Sequence, residues 1–306
     1  MSTTPASALA ILNQPSRHAP GNLAGAAPLR FVDPDAFHVG VRDLGITRGD
    51  GIFETIGTVS GIPQALEAHL RRFARSAAAL DLPEPDLAAW RAAISAVTDA
   101  LSGHREAAIK TIYTRGIEGD GRPTGWVHGA ASSDFTAARR DGLRVVTLDR
   151  GYRHDVASTS PWLLQGAKTL SYAVNSAALR EAQRRGADDV IFVSSDGIVL
   201  EGPTSTVLLL RDGRLITPGP GLPILDGTTQ DSLFAFAAHQ GIPTAFEPTT
   251  IEHLHSAEAV WLVSSVRHAA PVTAVDRVPR AAGAELTAQF NLYLAGRGTE
   301  FADRTA

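Results

Sequence analysis

The chain has 306 residues, 44% of them hydrophobic and 20% charged, with a formal net charge of −4 at pH 7. That length suits one large domain or two of ordinary size. The charge gives no electrostatic footprint for nucleic acid, no apolar run approaches the roughly 20 residues that span a bilayer, and the absence of cysteine excludes disulfides, thiolate zinc sites and a cysteine nucleophile.

Residues 1–28 are rich in Ala, Pro, Ser and Gly and lack a basic segment followed by an apolar block. They predict a flexible leader and no secretory signal, and hence a cytoplasmic protein. Residues 52–59 then predict a strand, Ser60-Gly61 a two-residue turn, and 62–66 the returning strand. Leu66, Leu70, Phe73, Ala77 and Leu80 recur at helical spacing, as do Leu87, Trp90, Ile94, Val97 and Leu101, so two amphipathic helices follow. Residues 107–114 predict a strand that carries Lys110. Between residues 116 and 137 the pattern dissolves into Gly, Pro, Asp and Ser, which predicts a domain boundary or a mobile loop over a site.

Beyond it, 143–148 predicts a strand and 171–185 a helix. Strands are expected at 189–193, 198–200 and 206–210, and Asp212-Gly213 turns the chain toward Leu215-Ile216. Residues 231–240 predict a helix capped by Gly241, and strands at 259–263 and 272–275 precede a last helix over 285–295. The reading is α/β or α+β in two lobes: a small N-terminal domain over 29–135 and a larger C-terminal one over 136–306.

Chemistry is suggested first by what is rare. Only Lys110 and Lys168 are lysines; the other basic residues among the 28 Lys and Arg are arginine. Arginine replaces lysine at most surface positions, but guanidinium stays protonated and cannot attack a carbonyl. Each remaining lysine is therefore a candidate for imine chemistry. Lys168 falls where a loop is expected to become a helix, and Lys110 is read first as a structural lysine in a fixed ion pair. Glu201 is either a turn-surface carboxylate or a partner for a protonated ring nitrogen. Residues 226–232 open a helix, as an ordinary N-cap or as a seat for phosphate. Arg72 is either solvated or a bidentate grip on that phosphate.

Taken in order, Arg48-Gly49-Asp50-Gly51-Ile52-Phe53-Glu54-Thr55, Glu67-Ala68-His69-Leu70-Arg71-Arg72-Phe73, Lys168-Thr169-Leu170 with Asn175, Asp189-Val190-Ile191-Phe192, Glu201-Gly202-Pro203-Thr204-Ser205-Thr206 and Gly227-Thr228-Thr229 resemble the class IV aminotransferases, the fold-type-IV pyridoxal-phosphate enzymes. The resemblance implies homodimers, with the cofactor between a small and a larger domain. It implies Lys168 as the Schiff-base lysine that also moves the Cα proton, and Glu201 on the pyridine nitrogen. Arg72, Gly227, Thr228 and Thr229 would hold the phosphate with help from Thr206, and Leu225 would pack against the ring.

Its D-amino-acid members hold the substrate carboxylate with an Arg-x-His pair that is missing from the loop 114–123, and tend to have Tyr where Phe53 stands. Many relatives also have Arg at Gln230 and Asn at Thr206. Phe53, Arg122, Ser265, Arg267 and His268 are the substrate-binding candidates. The expected reaction is transamination between a D-amino acid such as D-alanine and a 2-keto acid. Aminodeoxychorismate lyase is the alternative, and a branched-chain aminotransferase or a non-catalytic relative stands further off.

Overall fold

The computed structural model describes residues 5–13 and 28–300, with residues 297–300 described by backbone alone. The chain divides into two compact units: the described residues up to Ser133 with Ala167–Tyr172 and residues 298–300, the last turn of the final helix, and Asp134–Gly166 with Ala173–Arg297.

The first unit contains β1 (Ser7–Leu12), β2 (Leu29–Val32), α1 (Leu44–Thr47), β3 (Gly51–Val59), β4 (Ile62–Pro63), α2 (Leu66–Ala79), α3 (Leu87–Ala100), β5 (Glu106–Thr114) and β6 (Thr124–Ala131). Its strands form one sheet in the order β2-β1-β6-β5-β3-β4, antiparallel throughout. Ser60 and Gly61 have positive φ of 49° and 75°, which matches the twist of a tight hairpin. Asp86 starts α3 by accepting the amide N–H groups of Ala88 and Ala89.

Alternation along the strands splits the sheet into two faces. Ile52 and Ile56 of β3, Ile109 and Tyr113 of β5 and Val127 of β6 are buried on the face that α2 and α3 cover. Trp90 of α3 is at the centre, with its ring centroid 4.8 Å from Phe73 and 5.8 Å from Tyr113. Phe53, Thr55, Lys110, Ile112, Trp126 and His128 share the opposite face by register.

Two expectations fail in this unit. Residues 7–12 are not leader but a strand that pairs with β6 along its length and buries Ala8, Leu9, Ala10 and Leu12. Without it β6 would present an open edge of amide and carbonyl groups. The rest of the expected leader, residues 14–27, lies outside the described residues. Residues 124–131 are not loop but β6, an interior strand of the sheet. Its small residues hid it: a Cβ on Gly129 would come within 2.5 Å of Leu101 and 2.7 Å of Val97, so α3 packs where only glycine fits.

The second unit contains α4 (Thr136–Asp141), β7 (Leu143–Asp149), α5 (Val156–Thr159), α6 (Ala173–Arg184), β8 (Asp189–Val193), β9 (Thr206–Arg211), β10 (Arg214–Thr217), α7 (Thr228–His239), β11 (Thr244–Phe246), α8 (Ile251–Ser256), β12 (Ala259–Ser264), β13 (His268–Val275), β14 (Val278–Pro279) and α9 (Ala284–Glu300). Its sheet runs β11-β10-β9-β12-β13-β7-β8, with β14 on β13. The β7–β8, β13–β7 and β10–β11 pairs are parallel. Both faces are apolar: Val207, Leu209, Val260 and Leu262 pack in one cluster, and Leu208, Trp261, Val263, Phe236 and Phe290 in another. Strands covered on both sides read as continuous hydrophobic runs, as 190–193 and 259–263 do. Residues 198–200 form only isolated bridges rather than the expected strand. The expected helix at 171–185 begins at Ala173.

Mutating Trp90 to Ala should lower the unfolding free energy by about 3–5 kcal/mol, as for other large-to-small aromatic truncations in packed cores. Urea denaturation measures this.

Candidate active site

Lys168 is not at a helix start. Its stretch is extended and bonded to the beginning of β3: the Phe53 N–H donates to the Lys168 carbonyl at 3.0 Å and the Leu170 N–H to the Gly51 carbonyl at 2.8 Å. Thr169 bridges Ile52 in antiparallel register. The Lys168 N–H donates to Ser76 Oγ of α2 at 3.1 Å. With its backbone fixed on two sides, the side chain runs along the sheet face that carries Phe53, and Nζ lies 4.5 Å from the Phe53 ring centroid. Tyr172 meets the same ring edge-on, with centroids 5.2 Å apart.

On the other face of β3, Glu54 is buried and receives Arg72 of α2 through Nε to Oε1 and Nη2 to Oε2, each at 2.7 Å. His69 Nδ1 lies 2.7 Å from Oε2. Burial alone would raise the Glu54 pKa, but the Arg72 guanidinium and the His69 ring outweigh it and hold the carboxyl well below the ordinary carboxylate range. Arg72 is thus neither solvated nor mobile; a bidentate carboxylate sets the plane of its guanidinium.

In the second unit, Glu201 Oε2 accepts the Leu225 N–H at 3.1 Å. Gly227 caps α7 without a side-chain hydrogen bond, so the amide groups of the first turn point past it. A Cβ on Gly227 would stand 2.3 Å from Thr206 Oγ1, which places that hydroxyl at the helix start. Thr228 Oγ1 lies 3.4 Å from Ser265 Oγ. At the helix start Thr229 Oγ1 and Gln230 Nε2 are buried with no hydrogen-bond partner among the described residues, as is Ser205 Oγ beside Gly202. Buried polar groups are rarely left so. Orphaned donors around a glycine at a helix N-terminus suit an anion such as phosphate, so the residues present fit the phosphate end of pyridoxal phosphate.

Other candidates are differently placed. Arg122 is exposed in the loop between β5 and β6, and His268 is buried with a positive φ of 62°. Arg267, only 13% exposed, commits Nη1 to Asp189 at 2.7 Å, while the carbonyls of Val266 and Arg267 both accept from Arg139 at 2.9 Å. It braces the β12–β13 turn that carries Ser265. The Lys110 side chain has no ion pair or hydrogen bond among the described residues, against expectation.

Sequence reasoning overlooked Ser76, whose hydroxyl is generic, and the tie of Arg150 to Tyr152 at 3.2 Å and to Asn175 at 3.2 Å. Asn175 in turn donates to the Pro203 carbonyl at 2.7 Å, beside Glu201. Burial pushes the Tyr152 phenol above its usual value, with Arg150 opposing and the Glu201 charge adding to the rise. No sequence signal marks these contacts: those of Ser76 and Asn175 join residues remote in the chain, and the near-neighbour Arg150–Tyr152 bond follows no recognisable motif.

Replacing Glu54 with Gln should cost about 3–5 kcal/mol near neutral pH, since it leaves Arg72 buried without its counter-charge. A carboxyl whose pKa is lower folded than unfolded stabilises the fold above its ordinary value, 4.5, and loses that contribution as pH falls below it. The gap between wild type and Glu54→Gln should therefore narrow on acidification, as denaturation curves at several pH values will show.

The family model for amino-transferase class IV matches residues 51–275. A bifunctional aminodeoxychorismate lyase / D-amino acid transaminase from Mycobacterium tuberculosis is 46% identical over 259 residues, which are 81% of this chain and 90% of the relative. A fold IV-transaminase structure from Curtobacterium pusillum superposes with a TM-score of 0.90 at 54% identity, covering 96% of this chain and 98% of that one. The pyridoxal-phosphate-bound form of a hypothetical aminotransferase from Mycobacterium tuberculosis gives 0.84 at 42% identity, covering 89% and 97%. The fixed lysine, the anion-ready helix start and these likenesses agree, and the chain belongs to the class IV aminotransferases, pyridoxal-phosphate enzymes of fold type IV.

Proposed function

We propose that the enzyme transfers the amino group of a D-amino acid such as D-alanine to a 2-keto acid, with Lys168 as its catalytic base. The observation that carries this reading is the placement of Lys168. Its backbone is fixed by β3 and α2 and its amine lies over Phe53, in a chain otherwise almost emptied of lysine. Preference for the D series is supported by the mycobacterial relative, whose name includes D-amino acid transaminase.

Bound pyridoxal phosphate supplies an electron-withdrawing ring that stabilises negative charge at the substrate Cα. Lys168 takes the Cα proton and returns it, and positional precision matters because a base must lie within hydrogen-bond reach of the proton it moves. Glu201, with its orientation set by the Leu225 N–H, would keep a proton on the ring nitrogen. Arg72, aligned by Glu54, and Thr206, Gly227, Thr228 and Thr229 would each serve the phosphate, and Leu225 would pack against the ring. Phe53 walls the substrate side of Lys168. We also propose a homodimer, which light scattering would report.

The same relative's name favours a second reading, release of pyruvate from aminodeoxychorismate. Both reactions begin with loss of the same Cα proton, so the residues named serve either. They separate by acceptor dependence: transamination needs a 2-keto acid, and the lyase reaction forms 4-aminobenzoate without one.

The absorbance spectrum of the purified holoenzyme should lose its visible cofactor band on addition of D-alanine and change little with L-alanine. Equal responses to both would overturn the D preference, and no response to either, together with 4-aminobenzoate formation, would favour the lyase. Lys168→Ala should reduce turnover by at least about 10³-fold. Thr229→Val, which removes a hydroxyl that lacks a protein partner, should weaken pyridoxal-phosphate binding about tenfold, read by equilibrium dialysis.

A further inference from the structure

The Arg-x-His pair that D-amino-acid members use for the substrate carboxylate is missing from the loop after β5, and Arg267 gives Nη1 to Asp189 while its Nε and Nη2 are buried without a hydrogen-bond partner among the described residues. The second lysine is placed for that carboxylate. Lys110 of β5 pairs across the sheet with Thr55 on one side and His128 on the other, on the face that carries Phe53 and Lys168. Its Nζ lies 5.9 Å from the Phe53 ring centroid, against 4.5 Å for Lys168.

The two amines thus flank one aromatic ring. Lys168 stands beside Phe53 on one side, and Lys110 is its diagonal neighbour on the other. Sheet spacing puts their backbones about 10–12 Å apart, room for a small amino or keto acid between the side chains. Lys110 is exposed and His128 half-buried, and neither side chain has a hydrogen bond or ion pair among the described residues. The one carboxylate on that face of β5, Glu106, is four residues along the strand, roughly 13 Å away. An uncompensated cation beside a half-buried imidazole and two aromatic residues, Phe53 and Trp126, is an arrangement that favours an anion.

We propose that Lys110 and His128 form the seat for a carboxylate of the bound amino or keto acid, with Lys110 supplying the charge and His128 an N–H. Burial and then the Lys110 charge lower the His128 pKa, so the ring is neutral near pH 7 and has one N–H to donate. Lys110 sets charge complementarity, and Phe53 separates the seat from the reacting amine. The inference rests on the transaminase reading for its substrate, but the binding step can be measured without turnover.

The test uses the holoenzyme and its Lys110→Met, Lys110→Arg and His128→Phe variants. Calorimetric titration with propanoate and with glutarate needs no reaction, so it stands even where D-alanine proves not to be a substrate. Lys110→Met should weaken binding about 10–100-fold, the cost of losing one charged hydrogen-bond partner, His128→Phe somewhat less, and Lys110→Arg should restore most of it. In turnover, Lys110→Met should raise KM with kcat little changed, while an amine donor without a carboxylate, such as 2-aminobutane, should react as with wild type.

A rise in KM for pyruvate and 2-oxoglutarate alike assigns the seat to the carboxylate next to the reacting carbon; a rise for 2-oxoglutarate alone assigns it to the distal one. Unchanged carboxylate binding in Lys110→Met, or equal losses with the carboxylate-free amine, would overturn the proposal.

Discussion

The site depends on a short piece of antiparallel pairing. Residues 167–172 leave the second unit in sequence and join the first, through the Phe53–Lys168 and Leu170–Gly51 hydrogen bonds. A backbone bond adds only about 0.5–1.5 kcal/mol net, but these two, with the Ser76 hydroxyl on the Lys168 amide, remove the freedom a loop would have. A lysine on a flexible loop sweeps its amine through many positions. Held as part of a strand, with Phe53 beneath, it points one way. Preorganisation of this kind lets a base act without further ordering at the moment of reaction.

Strand β3 serves this arrangement from both faces. Phe53 on one face supports Lys168, while Glu54 on the other binds Arg72 and His69 of α2. Ser76 lies on that same helix. The Glu54–Arg72 pair therefore joins the sheet to the helix that steadies Lys168, and it fixes Arg72 as well. Taking both charges out of water costs several kcal/mol per ion, recovered only because the geometry is bidentate and further hydrogen bonds are made. A single exposed ion pair at this place would have tied the elements weakly.

The second unit shows the complementary device, polar groups left unsatisfied by protein. At the start of α7 the Thr229 hydroxyl and the Gln230 side-chain amide are buried without a hydrogen-bond partner among the described residues, which is costly for a folded chain. Bound phosphate would relieve that cost. Gln230 is neutral, so the first turn of α7 offers an anion hydroxyl and amide groups rather than a side-chain cation. The β12–β13 turn is braced for the same end, through Arg267, Asp189 and Arg139, bringing Ser265 to Thr228.

The sequence by itself determined the elements whose pattern is strong: the amphipathic helices α2 and α3, the hairpin at Ser60-Gly61, and the doubly buried strands of the second sheet. Lysine scarcity marked Lys168, because only an amine that can lose its proton resists replacement by arginine. Short-range pattern did not reveal β6, whose glycine and alanine spacing answers to the packing of α3, nor β1, which is a strand only because β6 lies beside it.

Tertiary structure alone decided that Lys168 belongs to a sheet edge, that Arg72 answers to Glu54, that Arg267 is bound to Asp189, and that Lys110 shares a ring with Lys168. Each of those contacts joins residues far apart in the chain. No local propensity or periodicity encodes such a pairing; it exists only once the backbone has closed around it.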